Sequence, residues 1–148
     1  MAQTGLVGWF QRPETWAGLT AVVFAAVFVT PYCGYLFECG CTWPWAGLDA
    51  HCNIYDAYAE HRCPWCVSLP AGGLSMLAIL GLSYAAATHP LGSWTGALEE
   101  SSRAPRGFAV FASGFLNGIV AFLIAGFVTA WLAALWTGYP TFVAAGMV

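Results

Sequence analysis

The chain has 148 residues, of which 59% are hydrophobic and only 7% charged, whereas a soluble domain usually carries about 25% charged residues. Such a composition cannot cover a water-facing surface and has to be solvated by lipid. Four arginines, no lysine and seven acids leave a formal net charge of -3, which offers no basic face to a polyphosphate backbone and speaks against nucleic-acid binding.

The first long apolar run covers residues 16–37, with Pro31 late in it, and is long enough for a helix to cross about 30 Å of hydrocarbon. Arg12 ahead of an apolar stretch also fits a secretory signal, but Thr30, Pro31 and Tyr32 before Cys33 suit neither an A-x-A cleavage site nor lipoprotein processing. The run is therefore expected to stay as the first span. Residues 38–63 form a cysteine-rich loop. The second span is expected over residues 64–87, starting at Pro64 and ended by His89 and Pro90. The third covers residues 108–136, roughly 43 Å of helix, which exceeds the bilayer core and implies tilt or a protruding end. The tail from Tyr139 is too short to span again. The expected architecture is an all-α integral membrane protein, a single membrane domain over residues 1–148, with three transmembrane helices and a cysteine-rich outer loop between the first two.

Tryptophan and tyrosine gather near the ends of these runs, where amphipathic rings favour the headgroup region. Arginine sets the orientation: Arg12 precedes the first span and Arg103 and Arg106 the third, against Arg62 alone in the loop between spans one and two. The N-terminus is then expected in the cytoplasm, and the cysteine-rich loop and C-terminus outside, periplasmic for an inner membrane. Gly114 and Gly118 in the third span have the spacing that lets helix backbones approach, and Gly73, Leu77 and Gly81 share a face of the second. These two stripes are expected to pack together, with Asn117 available for an interhelical hydrogen bond.

All six cysteines and two of the three histidines fall between Cys33 and Cys66. Cys33 alone reads as a bland small hydrophobe in an apolar run. The sharpest element is Cys63-Pro64-Trp65-Cys66. Proline is favoured at the first helical position, so Cys63 falls at the N-cap and Cys66 one turn in, where the helix dipole would stabilise a thiolate. A thiolate near neutral pH is both a nucleophile for disulfide exchange and a soft metal ligand.

CPWC opening a membrane helix on the outer side resembles the redox-active C-x-x-C of bacterial vitamin K epoxide reductase homologues and of DsbB-like thiol oxidoreductases. The resemblance implies electron transfer from a protein dithiol to a membrane quinone. Cys39 and Cys41 would then be the outer shuttle pair and Cys63 and Cys66 the quinone-proximal pair, with Trp43, Trp45 and Trp65 bordering the quinone. Those families have four or more spans, against three here, so other membrane subunits or a homo-oligomer would complete the site.

Two other readings use the same residues. Cys39, Cys41, Cys52, Cys63 and Cys66, with His51 and His61, could hold zinc, cuprous copper or an iron-sulfur cluster. Alternatively the cysteines are disulfides pinning the loop of an accessory subunit, Cys41 or Cys39 to Cys52 being a candidate, each bridge contributing roughly 3 kcal/mol.

Overall fold

The computed structural model describes residues 12–41, 54–55, 57–59, 61–89, 106–140 and 142. Among them the chain forms four helices: α1 Pro13–Phe37, α2 Pro64–Val67, α3 Leu69–Thr88 and α4 Arg106–Thr137. With 25, 20 and 32 residues, α1, α3 and α4 are long and apolar enough to cross a membrane. The chain is therefore a multi-pass membrane protein surrounded by lipid, and its backbone polar groups are satisfied inside each helix as a bilayer requires. The exposed Leu77, Val120, Leu132 and Trp136 suit the same surroundings.

The second span departs from expectation. It begins at Leu69, and the CPWC turn is a separate one-turn helix, α2. Pro70 supplies the reason, since it has no N–H to bond the carbonyl of Cys66 and its ring would clash there. Ser68 instead adopts an extended backbone, φ -100° and ψ 101°, and caps the new helix. Its Oγ accepts from the Ala71 N–H at 3.4 Å and its carbonyl from the Gly72 N–H at 2.8 Å, which satisfies donors that a helix start leaves orphaned.

The chain divides into two compact units, each containing a stretch of all three long helices. The first comprises Met1–Ala25 and Leu80–Phe122, and small residues bring its helices together. A Cβ on Gly118 would lie 2.6 Å from the Ala21 Cβ and 3.1 Å from the Ser83 carbonyl, and one on Gly114 would lie 2.6 Å from the Ala87 carbonyl. Backbones meet only where no side chain intervenes, the usual basis of helix association in lipid. Phe24 fixes the neighbouring layer, edge-on to Phe115 at 5.9 Å and to Phe122 at 6.1 Å. The glycine pairing differs from expectation: Gly114 and Gly118 face Ser83 and Ala87 of α3, whereas Gly73 and Gly81 open onto empty space. The buried Nδ2 of Asn117 has no hydrogen-bond partner.

The second unit comprises Ala26–Ile79 and Leu123–Val148. Phe37, the last residue of α1, is its aromatic centre, with ring contacts to Trp65 at 5.4 Å, Tyr139 at 5.5 Å and Phe142 at 5.8 Å. The Tyr139 hydroxyl donates to the Phe37 carbonyl at 2.9 Å, capping the end of α1. The Tyr32 hydroxyl donates to the Leu123 carbonyl at 2.8 Å. Gly138, at φ 65°, ends α4 in the left-handed region and lets the Tyr139 N–H return to the Ala134 carbonyl at 3.0 Å.

Candidate functional site

Within the second unit, Cys33 lies in the last turns of α1. Glu38 and Gly40, at φ 51° and 74°, turn the chain beyond α1 back onto the helix. The fold-back needs Gly34, because a Cβ there would collide with the Cys41 carbonyl. The reversed segment brings the Cys39 Sγ to 4.0 Å from the Cys33 Sγ and 3.7 Å from the Cys33 carbonyl.

Cys63 arrives from a distant part of the chain. The residue before a proline is pushed out of the helical region, and Cys63, ahead of Pro64, is the extended N-cap of α2 at φ -51° and ψ 124°. Its Sγ lies 3.3 Å from that of Cys33. Trp65 on the same turn packs against Phe37, which fixes α2 beside the end of α1.

Three chain segments thus deliver three thiols, none of them in a disulfide, to one place. The sulfurs of Cys33, Cys39 and Cys63 all lie within 4.8 Å of one another, and these residues are 4%, 2% and 0% exposed. Cys66, one turn beyond Cys63, is also a free thiol but is exposed. Its sulfur interacts with the Cys33 and Cys63 thiols.

The thiols share their protons unequally. Hydrogen bonds from Cys33 and then Cys63 pull Cys66 down to about 4, against burial and the charge on Cys39. Bonds from the same two thiols hold Cys39 at about 3 against its burial; only its protonated form can donate to the Cys33 carbonyl. Cys63 is pushed up: its bond with Cys33 lowers it, but bonds with Cys39 and Cys66, burial and the charge on Cys39 together prevail. α2 is a single turn and the long α3 begins only at Leu69, so neighbouring sulfurs govern the ionisation.

Of the residues expected from sequence, Cys39, Cys63 and Cys66 gather here. Cys41 is buried but is disulfide-bonded and carries no free thiol. His61 is exposed, its ring 6.4 Å from that of Tyr139, and is not among the grouped ligand atoms. Trp65 is buried, with no partner for its Nε1–H. Trp43, Trp45, His51 and Cys52 lie outside the described residues. Cys33, read from sequence as a bland hydrophobe, is central to the group. Its signal was the adjoining glycine, which marks a close backbone approach beside a cysteine at a helix end.

No known protein family, curated protein or solved structure matches this chain.

Proposed function

We propose that this protein is a membrane-embedded metal-thiolate protein whose Cys33, Cys39 and Cys63 bind a single soft transition-metal ion. One observation carries the reading: three buried thiols outside any disulfide, from three chain segments, lie with their sulfurs within 4.8 Å of one another. At a metal–sulfur bond of about 2.3 Å, tetrahedral ligands sit roughly 3.8 Å apart, and the 4.0 Å and 3.3 Å separations bracket that value. The all-sulfur donor set favours thiophilic ions such as cuprous copper or zinc over hard cations. A multi-iron cluster distributes its cysteines over several irons and needs a wider cage.

The arginine distribution supports an inner-membrane protein with a cytoplasmic N-terminus and this site on the outer side. Elemental analysis of the purified full-length protein tests the metal reading. About one equivalent of metal per chain is expected, lost in a Cys33→Ser/Cys39→Ser/Cys63→Ser variant. Protein that neither retains nor takes up copper or zinc overturns the reading.

A second reading is favoured by the pairing of exposed Cys66 with buried Cys63 on one turn. In a thiol-disulfide relay, the exposed thiolate attacks a partner's disulfide and the buried thiol resolves the mixed disulfide. Such a relay could be quinone-linked and completed by other membrane subunits or further copies of the chain. Redox titration followed by alkylation and mass spectrometry separates the two, since a relay requires a reversible Cys63-Cys66 disulfide.

A further inference from the structure

Resting on the metal-thiolate reading, we propose that Cys66 is an exchange ligand through which cuprous copper passes between a thiol-bearing carrier and the buried Cys33, Cys39 and Cys63. Exposure divides the four thiols that are not in disulfides. Three are buried, and an ion held by them has no open route to another molecule's sulfur, whereas Cys66 is exposed. Cys66 is also tied to the buried group. The Cys66 N–H donates to the Cys63 carbonyl at 3.1 Å, within a one-turn helix separated from α3 by extended Ser68. Val67 and Leu69, 58% and 89% exposed, give its surroundings an apolar surface, as expected where a span begins. The place for exchange is therefore at the membrane surface.

The division of ligands favours cuprous copper over zinc. Structural zinc sites are closed and four-coordinate, and zinc would need Cys66 as a permanent fourth ligand. Soft thiolates select cuprous copper, which is content with three, leaving Cys66 available. The exchange is balanced without an oxidant or reductant. The Cys66 thiolate bonds to the carrier's copper as the bond from copper to the carrier's sulfur breaks, and the departing carrier thiolate takes its proton from water. Copper stays monovalent throughout. The same substitution then repeats from Cys66 to the buried sulfurs, and any proton a buried sulfur still carries passes to water.

The test uses anaerobic full-length protein in detergent, with the cuprous glutathione complex as carrier. Loading is followed by the ultraviolet copper-thiolate absorption, and affinity by competition with a chromophoric cuprous chelator. The expected result for Cys66→Ser is one equivalent of copper bound within about threefold of the original affinity, with loading slowed roughly tenfold or more. Cys33→Ser should lose affinity. Should Cys66→Ser fold poorly, native protein alkylated only at Cys66 replaces it. If removing Cys66 weakens affinity as much as removing Cys33, or leaves loading unchanged, the exchange role is overturned while the metal site stands. If the unaltered protein binds zinc through all four thiols and not copper, the assignment of the ion is overturned. If it binds neither ion, the metal-thiolate reading itself fails.

Discussion

Gly34 and Cys33, adjacent at the end of α1, show how one missing side chain fixes a group of sulfurs. Replacing Gly34 by alanine puts a Cβ into the Cys41 carbonyl, and the segment carrying Cys39 must move off the helix. Gly34→Ala is expected to weaken metal binding about tenfold with little change in helix content, read by chelator competition and far-ultraviolet circular dichroism. Gly73→Ala, into open space, is the silent control. Cys66 supplies a second test, in metal-free protein. Its lowered value, about 4, means that the thiolate is present above that pH and lost only as pH falls through it. Alkylation of an ordinary thiol slows about tenfold per pH unit below about 8.5. At Cys66 the rate should stay flat between about pH 8 and pH 5. Cys33→Ser, which removes the largest cause of the shift, should restore the ordinary slope. Steep dependence in the unaltered protein would show that the thiols do not share protons in this way. The sequence made Cys39, Cys63 and Cys66 legible because they crowd a short polar stretch. It hid Cys33, because a cysteine in an apolar run is indistinguishable from a packing residue until the fold places Cys39 and Cys63 beside it.

At the scale of elements, lipid supplies little hydrophobic drive between helices, so close contact between small residues has to hold them. Gly118→Val tests this in the first unit. The Cβ alone would lie 2.6 Å from that of Ala21, and overpacking of this kind typically costs about 1–3 kcal/mol. The expected outcome is a clearly lower midpoint of thermal unfolding in detergent. Gly81→Val, on the open face of α3, should cost nothing through helix propensity, which is higher for valine than for glycine, and equal losses in both would sink the packing assignment. The three spans were legible because long apolar runs have no other fate in a chain so poor in charge. The face each helix presents was not, because period alone cannot tell which of several small residues meets a backbone. Gly73 and Gly81 share a face as plausibly as Ser83 and Ala87 do. The start of α3 was misjudged for a different reason. Pro64 and Pro70 both suit a first helical turn, and two prolines six residues apart require two helix starts, with Ser68 capping the second.

For the whole molecule, four arginines bear on the side of the membrane on which the thiols lie. Positive charge is retained on the cytoplasmic side when a span inserts. Arg12 and Arg106 flank the starts of α1 and α4, and Arg62 stands by itself just before Cys63. The bias therefore points the end of α1, and the sulfurs with it, away from the cytoplasm. Cys66 converts that inference into a measurement, being a free and exposed thiol beside the site. A membrane-impermeant maleimide added to intact spheroplasts after mild reduction is expected to modify Cys66, located by peptide mass spectrometry, at the rate seen after lysis. Cys66→Ser should remove that modified peptide. Labelling only after lysis would invert the topology, placing any metal carrier or redox partner of Cys66 in the cytoplasm and leaving Arg12 and Arg106 outside, against the charge bias. Moving the bias provides an independent check on the cause. Arg12→Gln with His61→Arg leaves the helices' apolar lengths untouched but changes the arginine count from three against one to two against two. If arginine placement sets the orientation, that variant should show a mixed population, with part of Cys66 protected until lysis. An unchanged labelling pattern would mean that features of the spans themselves orient the chain.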